Sequence, residues 1–163
     1  MKKNGIPAFL VAALLAFATF GFSACDSENV DEDDIHTTLE DKIFVATGCT
    51  LKVQDSSGTS TYTASNIAYI EGLSDDLVRV YVWPTPDATE YYSDFLKYYI
   101  SDDYITFSNE DDKSYTATIN TDDTFTIDSE FVDGGSSSAD ITDSKLTFAI
   151  GADKPSKAVF TSK

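Results

Sequence analysis

From Lys42 onward the chain alternates short apolar runs with polar clusters. Ile43, Phe44 and Val45 lead through Thr47-Gly48 into Leu51 and Val53, which alternate with Lys52 and Gln54. A period of two marks a half-buried strand. Asp55-Ser56-Ser57-Gly58 supplies turn chemistry, since Gly tolerates positive φ and Asp and Ser bond their own backbone. Strand material resumes at Thr59 to Thr63 and again at Ile67 to Ile70, closed by Glu71-Gly72. Leu77 to Trp83 is the strongest strand: Val78, Val80 and Val82 fall on one face and Leu77, Arg79, Tyr81 and Trp83 on the other. Pro84-Thr85-Pro86 stops it, because proline removes a ladder donor.

Residues 87–100 carry two patterns. Asp87 with Glu90 is a capping box, and Tyr91, Phe95, Tyr98 and Tyr99 recur at helical spacing. Phe95 to Ile100 also reads as a strand paired with Tyr104 to Phe107 across Asp102-Asp103. The spacing favours one short helix or irregular excursion near 88–99, then strand. Beyond it, Tyr104–Phe107, Tyr115–Ile119 and Thr124–Ile127 are strands joined by turns at Asn109–Asp112 and Asn120–Asp123. Gly134–Ser138 is a loop, and Leu146–Ile150 and Ala158–Phe160 complete the set.

Short strands with turns every few residues and no long crossover predict an all-β domain, a small antiparallel β-sandwich or meander barrel. In strand number and size it resembles the lipocalin-like or calycin-like barrels of exported lipoproteins. The glycine-tryptophan signature of true lipocalins is missing, since Trp83 comes mid-chain.

The start of the chain follows a different pattern. Lys2 and Lys3 precede an uncharged apolar run over Ile6–Phe22, and the small residues Ser23 and Ala24 lead to Cys25. A basic start, an apolar middle and a small-residue junction predict a secretory signal peptide over 1–24. Phe22-Ser23-Ala24-Cys25 resembles the lipobox of bacterial lipoproteins, with Phe22 in place of the commoner leucine. That resemblance implies cleavage before Cys25 and its acylation, and two or more acyl chains anchor stably where one does not. Behind it, Asp26, Glu28, Asp31, Glu32, Asp33 and Asp34 form an acidic tether assigned to 25–38, a solvated like-charge segment. An acidic stretch after the lipidated cysteine resembles the export signal of surface-exposed Bacteroidetes lipoproteins. It implies an outer-membrane, lipid-anchored protein at the cell surface. Residues 39–163 are left as one β domain.

The 163-residue chain has a formal net charge of −17. With the two leader lysines and six tether carboxylates set aside, −13 remains on residues 35–163. Such a surface repels phosphate backbones and argues against nucleic acid as a partner. It offers no basic patch to anionic headgroups, so the lipid on Cys25 is the membrane contact. Acylation of Cys25 leaves Cys49 without a disulfide partner, and its apolar setting predicts a core thiol.

No phosphate loop, zinc spacing or nucleophile–base pair stands out, so no cofactor, metal or catalytic residue is assigned. The pairs Asp75-Asp76, Asp102-Asp103, Asp111-Asp112 and Asp122-Asp123 fall in turns, and the acids at Glu110–Asp112 lack the spaced calcium-loop pattern. Aromatics crowd between Tyr81 and Tyr104. Arg79, Tyr81, Trp83, Tyr91 and Tyr92 are the candidate ligand-binding residues, with Tyr81 and Trp83 as an exposed stacking platform. The expected function is a non-enzymatic binding domain for a carbohydrate or small apolar ligand. The alternative is a structural or protein-interaction subunit of an outer-membrane assembly.

Overall fold

Among the described residues, twelve strands build two antiparallel sheets, one of which closes on itself. The computed structural model describes residues 34–56, 58–132 and 139–163, which belong to one unit beginning at Glu32. The leader, Cys25 and the tether through Asp33 lie outside the described residues. The strands are β1 (Ile43–Ala46), β2 (Cys49–Asp55), β3 (Gly58–Ser65), β4 (Ala68–Gly72), β5 (Leu77–Val82), β6 (Tyr92–Ser101), β7 (Tyr104–Ser108), β8 (Ser114–Ile119), β9 (Thr124–Asp128), β10 (Ala139–Ile141), β11 (Lys145–Ile150) and β12 (Val159–Ser162).

Strands β4 to β9 form an up-and-down meander, β11 follows β9, and β1 closes the barrel by pairing with both β11 and β4. Of the two predicted all-β forms, the barrel is therefore the one adopted. The remaining strands are excursions from it. The β2–β3 hairpin leaves between β1 and β4, β10 leaves between β9 and β11, and β12 follows β11. Together they make a four-stranded sheet in the order β10-β2-β3-β12, with Cys49, Leu51 and Ala64 buried.

An eight-stranded barrel is just wide enough for side chains to fill it, and here phenylalanines do so. Phe44, Phe107, Phe125 and Phe148 are fully buried. Phe125 stacks on Phe148 with centroids 5.2 Å apart and lies 5.3 Å from Phe44 and 6.0 Å from Phe107. Val78, Val80, Leu96, Ile105, Ala117 and Ile127 complete the lining. The alternation predicted for β5 holds: Val78 and Val80 point inward and Arg79 and Tyr81 outward.

The helix that the spacing predicts near 88–99 does not form; Tyr92–Ser101 is the longest strand of the barrel. Leu96 and Tyr98 are buried while Phe95, Lys97 and Tyr99 are exposed, a period of two set by cross-strand partners. Aromatic and β-branched side chains favour that half-buried pleated surface, and the paired neighbours override the local helical spacing. The turn at Asp102-Asp103 works because aspartate tolerates the left-handed region, and Asp102 has φ 51°.

The folded unit begins earlier than the sequence predicts. Ile35 and Leu39 are fully buried, so residues 34–38, assigned to the tether, pack on the barrel end where β4 finishes. Tyr98 ties this segment down. Its hydroxyl accepts from the Leu39 N–H at 3.0 Å, donates to the Ser74 carbonyl at 3.0 Å and lies 3.2 Å from Thr38 Oγ1. Gly72 is required here, because a Cβ on it would stand 1.6 Å from the Leu39 carbonyl oxygen.

Candidate functional site

Strand β6 has different neighbours along its length. At Lys97 and Tyr98 it pairs with Leu77 of β5 and with Asp76 just before it on one side, and from Lys97 to Ser101 it pairs with β7 on the other. The register begins at Lys97 opposite Ser108, where β7 ends and the Asn109–Lys113 turn starts. Among the described residues, β6 from Tyr92 to Leu96 therefore pairs with β5 alone. The barrel wall opens there.

Backbone direction can be assigned along this edge. The Tyr98 N–H donates to the Asp76 carbonyl at 2.9 Å, on the β5 side. Alternation then turns the N–H groups of Ser93 and Phe95 toward the gap. The Phe95 N–H confirms this, for it donates at 2.8 Å to the carboxylate of the neighbouring Asp94. Asp94 lies opposite Val80, which places it on the inward face of the wall.

Below the gap is a half-open cleft of about 240 Å³. Val80, Val82, Leu96, Tyr115, Phe131 and Val132 give it an apolar floor, and Tyr92, Asp94 and Asn109 add polar groups. A 3-10 turn at Ser129–Phe131 supplies the base, where Phe131 packs 5.1 Å from Phe107 and edge-on to Tyr115 at 5.4 Å. The Asn109 side chain accepts from the N–H groups of Asp111 and Lys113 at 3.1 and 2.9 Å and so shapes the rim.

The predicted candidates are divided between this opening and the outer wall. Tyr92 stands at the cleft and is 69% exposed. Arg79, Tyr81, Trp83 and Tyr91 instead form a row on the outside of β4–β6, joined by Tyr69. Tyr69 stacks on Tyr81 at 4.2 Å and 10°, and Tyr91 sits edge-on to Tyr69 at 5.0 Å and to Trp83 at 4.8 Å. The Arg79 guanidinium lies 5.1 Å from the ring centres of both Tyr81 and Phe95, and its Nε and Nη2 donate to Ser93 Oγ at 3.1 and 2.9 Å.

An open Tyr81–Trp83 platform is thus absent. Tyr81 is covered by Tyr69 on one side and approached by Arg79 on the other, while Trp83 is half-buried. The indole N–H of Trp83 is buried with no hydrogen-bond partner among the described residues. The row is a small aromatic core laid on the outer wall, and the exposed ring at its edge is Phe95, at 51%.

Electrostatics agree with a packed row. Burial pushes the phenols of Tyr69 and Tyr91 up to about 12. Tyr81 is raised by burial and by its 3.0 Å bond to Glu71. The 2.5 Å bond from Lys154 holds the Glu71 carboxyl below its usual range. At neutral pH these phenols are protonated and Glu71 is ionised. Elsewhere, burial and then the Asp143 carboxylate push the Cys49 thiol up to about 11, which leaves it an unreactive thiol. Among the described residues no group of three or more His, Cys, Asp or Glu is placed to hold a metal ion. The paired aspartates at 75–76, 102–103, 111–112 and 122–123 are exposed turn residues.

Tyr69, Asp94, Phe95, Tyr115 and Phe131 were not predicted as site residues. The usable signal was Asp94 itself. Once Tyr92–Ser101 is written as a strand, an acid stands in the inward file with Leu96 and Tyr98.

No protein-family model matches this chain. No curated protein and no solved structure matches it either.

Proposed function

We propose that this protein is a lipid-anchored component of the cell envelope, held at the outer membrane by acylated Cys25 and displayed at the surface on its acidic tether. Its barrel is a non-enzymatic domain that engages another envelope protein. The observation that carries the interaction reading is the one-sided pairing of β6 over Tyr92–Leu96. A strand edge whose donors and acceptors face away from the sheet is a template for another chain, and folded proteins normally blunt or cover it. This edge is flanked by the exposed rings of Tyr92 and Phe95. Aromatic residues are enriched in protein interfaces.

The reading that the sequence favoured, a carbohydrate or small apolar ligand, has weaker support. Buried phenylalanines fill the barrel interior where a lipocalin-like ligand would sit. The cleft of about 240 Å³ is smaller than the ~300–1,000 Å³ usual for small-molecule pockets. The outer aromatic row spends its ring faces on its own members.

The test is photo-crosslinking in cells, with a photoreactive phenylalanine analogue at Phe95 and, as control, at exposed Thr116 on β8. The expected result is an adduct with an envelope protein at position 95 but not at 116, lost in Cys25→Ser together with membrane fractionation. Equal labelling at both positions, or an unchanged membrane fraction in Cys25→Ser, would contradict the proposal.

A further inference from the structure

We infer that the open edge of β6 takes an extended, basic segment of a partner protein as an added strand, with apolar and Lys or Arg residues in alternation. This deepens the protein-interaction reading and rests on it. Strand addition needs backbone groups facing out of the sheet, and Ser93 and Phe95 supply them. In the free protein the Phe95 N–H is held by the Asp94 carboxylate at 2.8 Å. An arriving strand offers that N–H a carbonyl instead, which releases the carboxylate to accept from the incoming chain.

The register dictates the side chains. Residues directly opposite one another in an antiparallel pair share a face. The residue opposite Asp94 points into the cleft beside a carboxylate, so a Lys or Arg fits there, with its aliphatic stem along Val80, Val82 and Leu96. The residue opposite Phe95 lies on the outer face, where an apolar side chain covers a ring that is 51% exposed.

Charge selects the occupant further. Acids outnumber bases beside the lining residues: Glu110 and Asp111 follow Asn109 and Glu130 precedes Phe131, against Lys113, whose ammonium lies 4.8 Å from the centre of the Tyr115 ring. A second copy pairing β6 to β6 would bring two acidic domains and two Asp94 edges together, so self-association is disfavoured by the same repulsion.

The test uses the full chain purified in detergent and short synthetic peptides in which Val or Phe alternates with Lys. Binding is followed by titration and by amide hydrogen exchange. The Lys peptide is expected to bind and to protect the Ser93 and Phe95 amides. A Glu-for-Lys peptide should bind at least about tenfold more weakly, and Asp94→Asn should weaken the Lys peptide about tenfold, the scale of one charge-assisted pair. Ser93→Pro removes an outward donor while leaving the β5 ladder intact, and it should abolish binding. Should that variant unfold, Asp94→Asn and the exchange pattern decide instead. Binding without protection of Ser93 and Phe95, or no preference for Lys over Glu, would overturn the inference. An adduct at position 95 in cells with no affinity for the Lys peptide would overturn it and leave the protein-interaction reading standing. Loss of both results would overturn both.

Discussion

The two halves of β6 share a strand but not a neighbourhood. Lys97–Ser101 is paired with β7 along its length, Lys97 and Tyr98 are held on both sides, and the Tyr98 hydroxyl joins two other segments, at Thr38-Leu39 and at Ser74. Tyr92–Leu96 is paired on one side, and its outward amide is satisfied by its own neighbour's carboxylate. A barrel with the same strand order can thus be sealed at one end and open at the other. The difference lies in strand length, because the β7–β8 hairpin is shorter than β6. In the proposed reading the sealed half carries stability and the open half serves recognition.

The strongest way to break this contrast is from the core. Phe125 is fully buried and meets Phe44, Phe107 and Phe148. Phe125→Ala should cost about 3–5 kcal/mol, the range for truncating a buried aromatic ring. Phe95→Ala, on the open half, should cost under about 1 kcal/mol, as surface changes do. Chemical denaturation of both variants measures the gap, and similar losses would remove the distinction.

A smaller effect is expected at the clamp. Tyr98→Phe keeps the ring but strands the Leu39 N–H and the Ser74 carbonyl. Leaving such groups unsatisfied costs about 1–3 kcal/mol. Limited proteolysis should then cut within residues 34–42 before it cuts elsewhere in the barrel. An unaltered cleavage pattern would mean that the segment is held without Tyr98.

Alkaline titration gives the mildest perturbation. Tyr69 and Tyr91 are pushed up to about 12 in the folded protein, against about 10 for an ordinary phenol. The folded state holds these protons more tightly than the unfolded chain. Their contribution is therefore fully present below pH 10 and is lost as pH rises towards 12. Phenolate absorbance should show Tyr69, Tyr81 and Tyr91 ionising above the ordinary phenol range, with unfolding setting in over that interval. A single ordinary titration of all nine tyrosines would contradict the packed outer row.

Much of this fold was legible in the sequence. The valine file of β5 and the Asn-Asp turns at 109–112 and 120–123 fixed most of the meander through local periodicity and turn chemistry. Closure was not legible, because it depends on β1 meeting both β4 and β11, a long-range register that no local pattern encodes. Strand β10, with three residues, is too short to show a period. In β6 the aromatics fit two periods at once, and only cross-strand partners decide between them. That ambiguity hid the site, since Asp94 stands out as an inward acid only after the strand is recognised. Tyr69 was hidden differently: inside the apolar run Ile67–Ile70 no local pattern marks its outward direction, although it is the ring that covers Tyr81.

The most direct measurement is residue-resolved amide hydrogen exchange along β6 in the full chain without a partner. The Tyr99 amide, in the stretch paired with β7, should exchange only with global unfolding, while the Ser93 amide, facing the gap, should exchange orders of magnitude faster. Phe95 should fall between them and accelerate in Asp94→Ala, which removes its acceptor. Uniform protection from Ser93 to Tyr99 would contradict the open wall and the recognition site built on it.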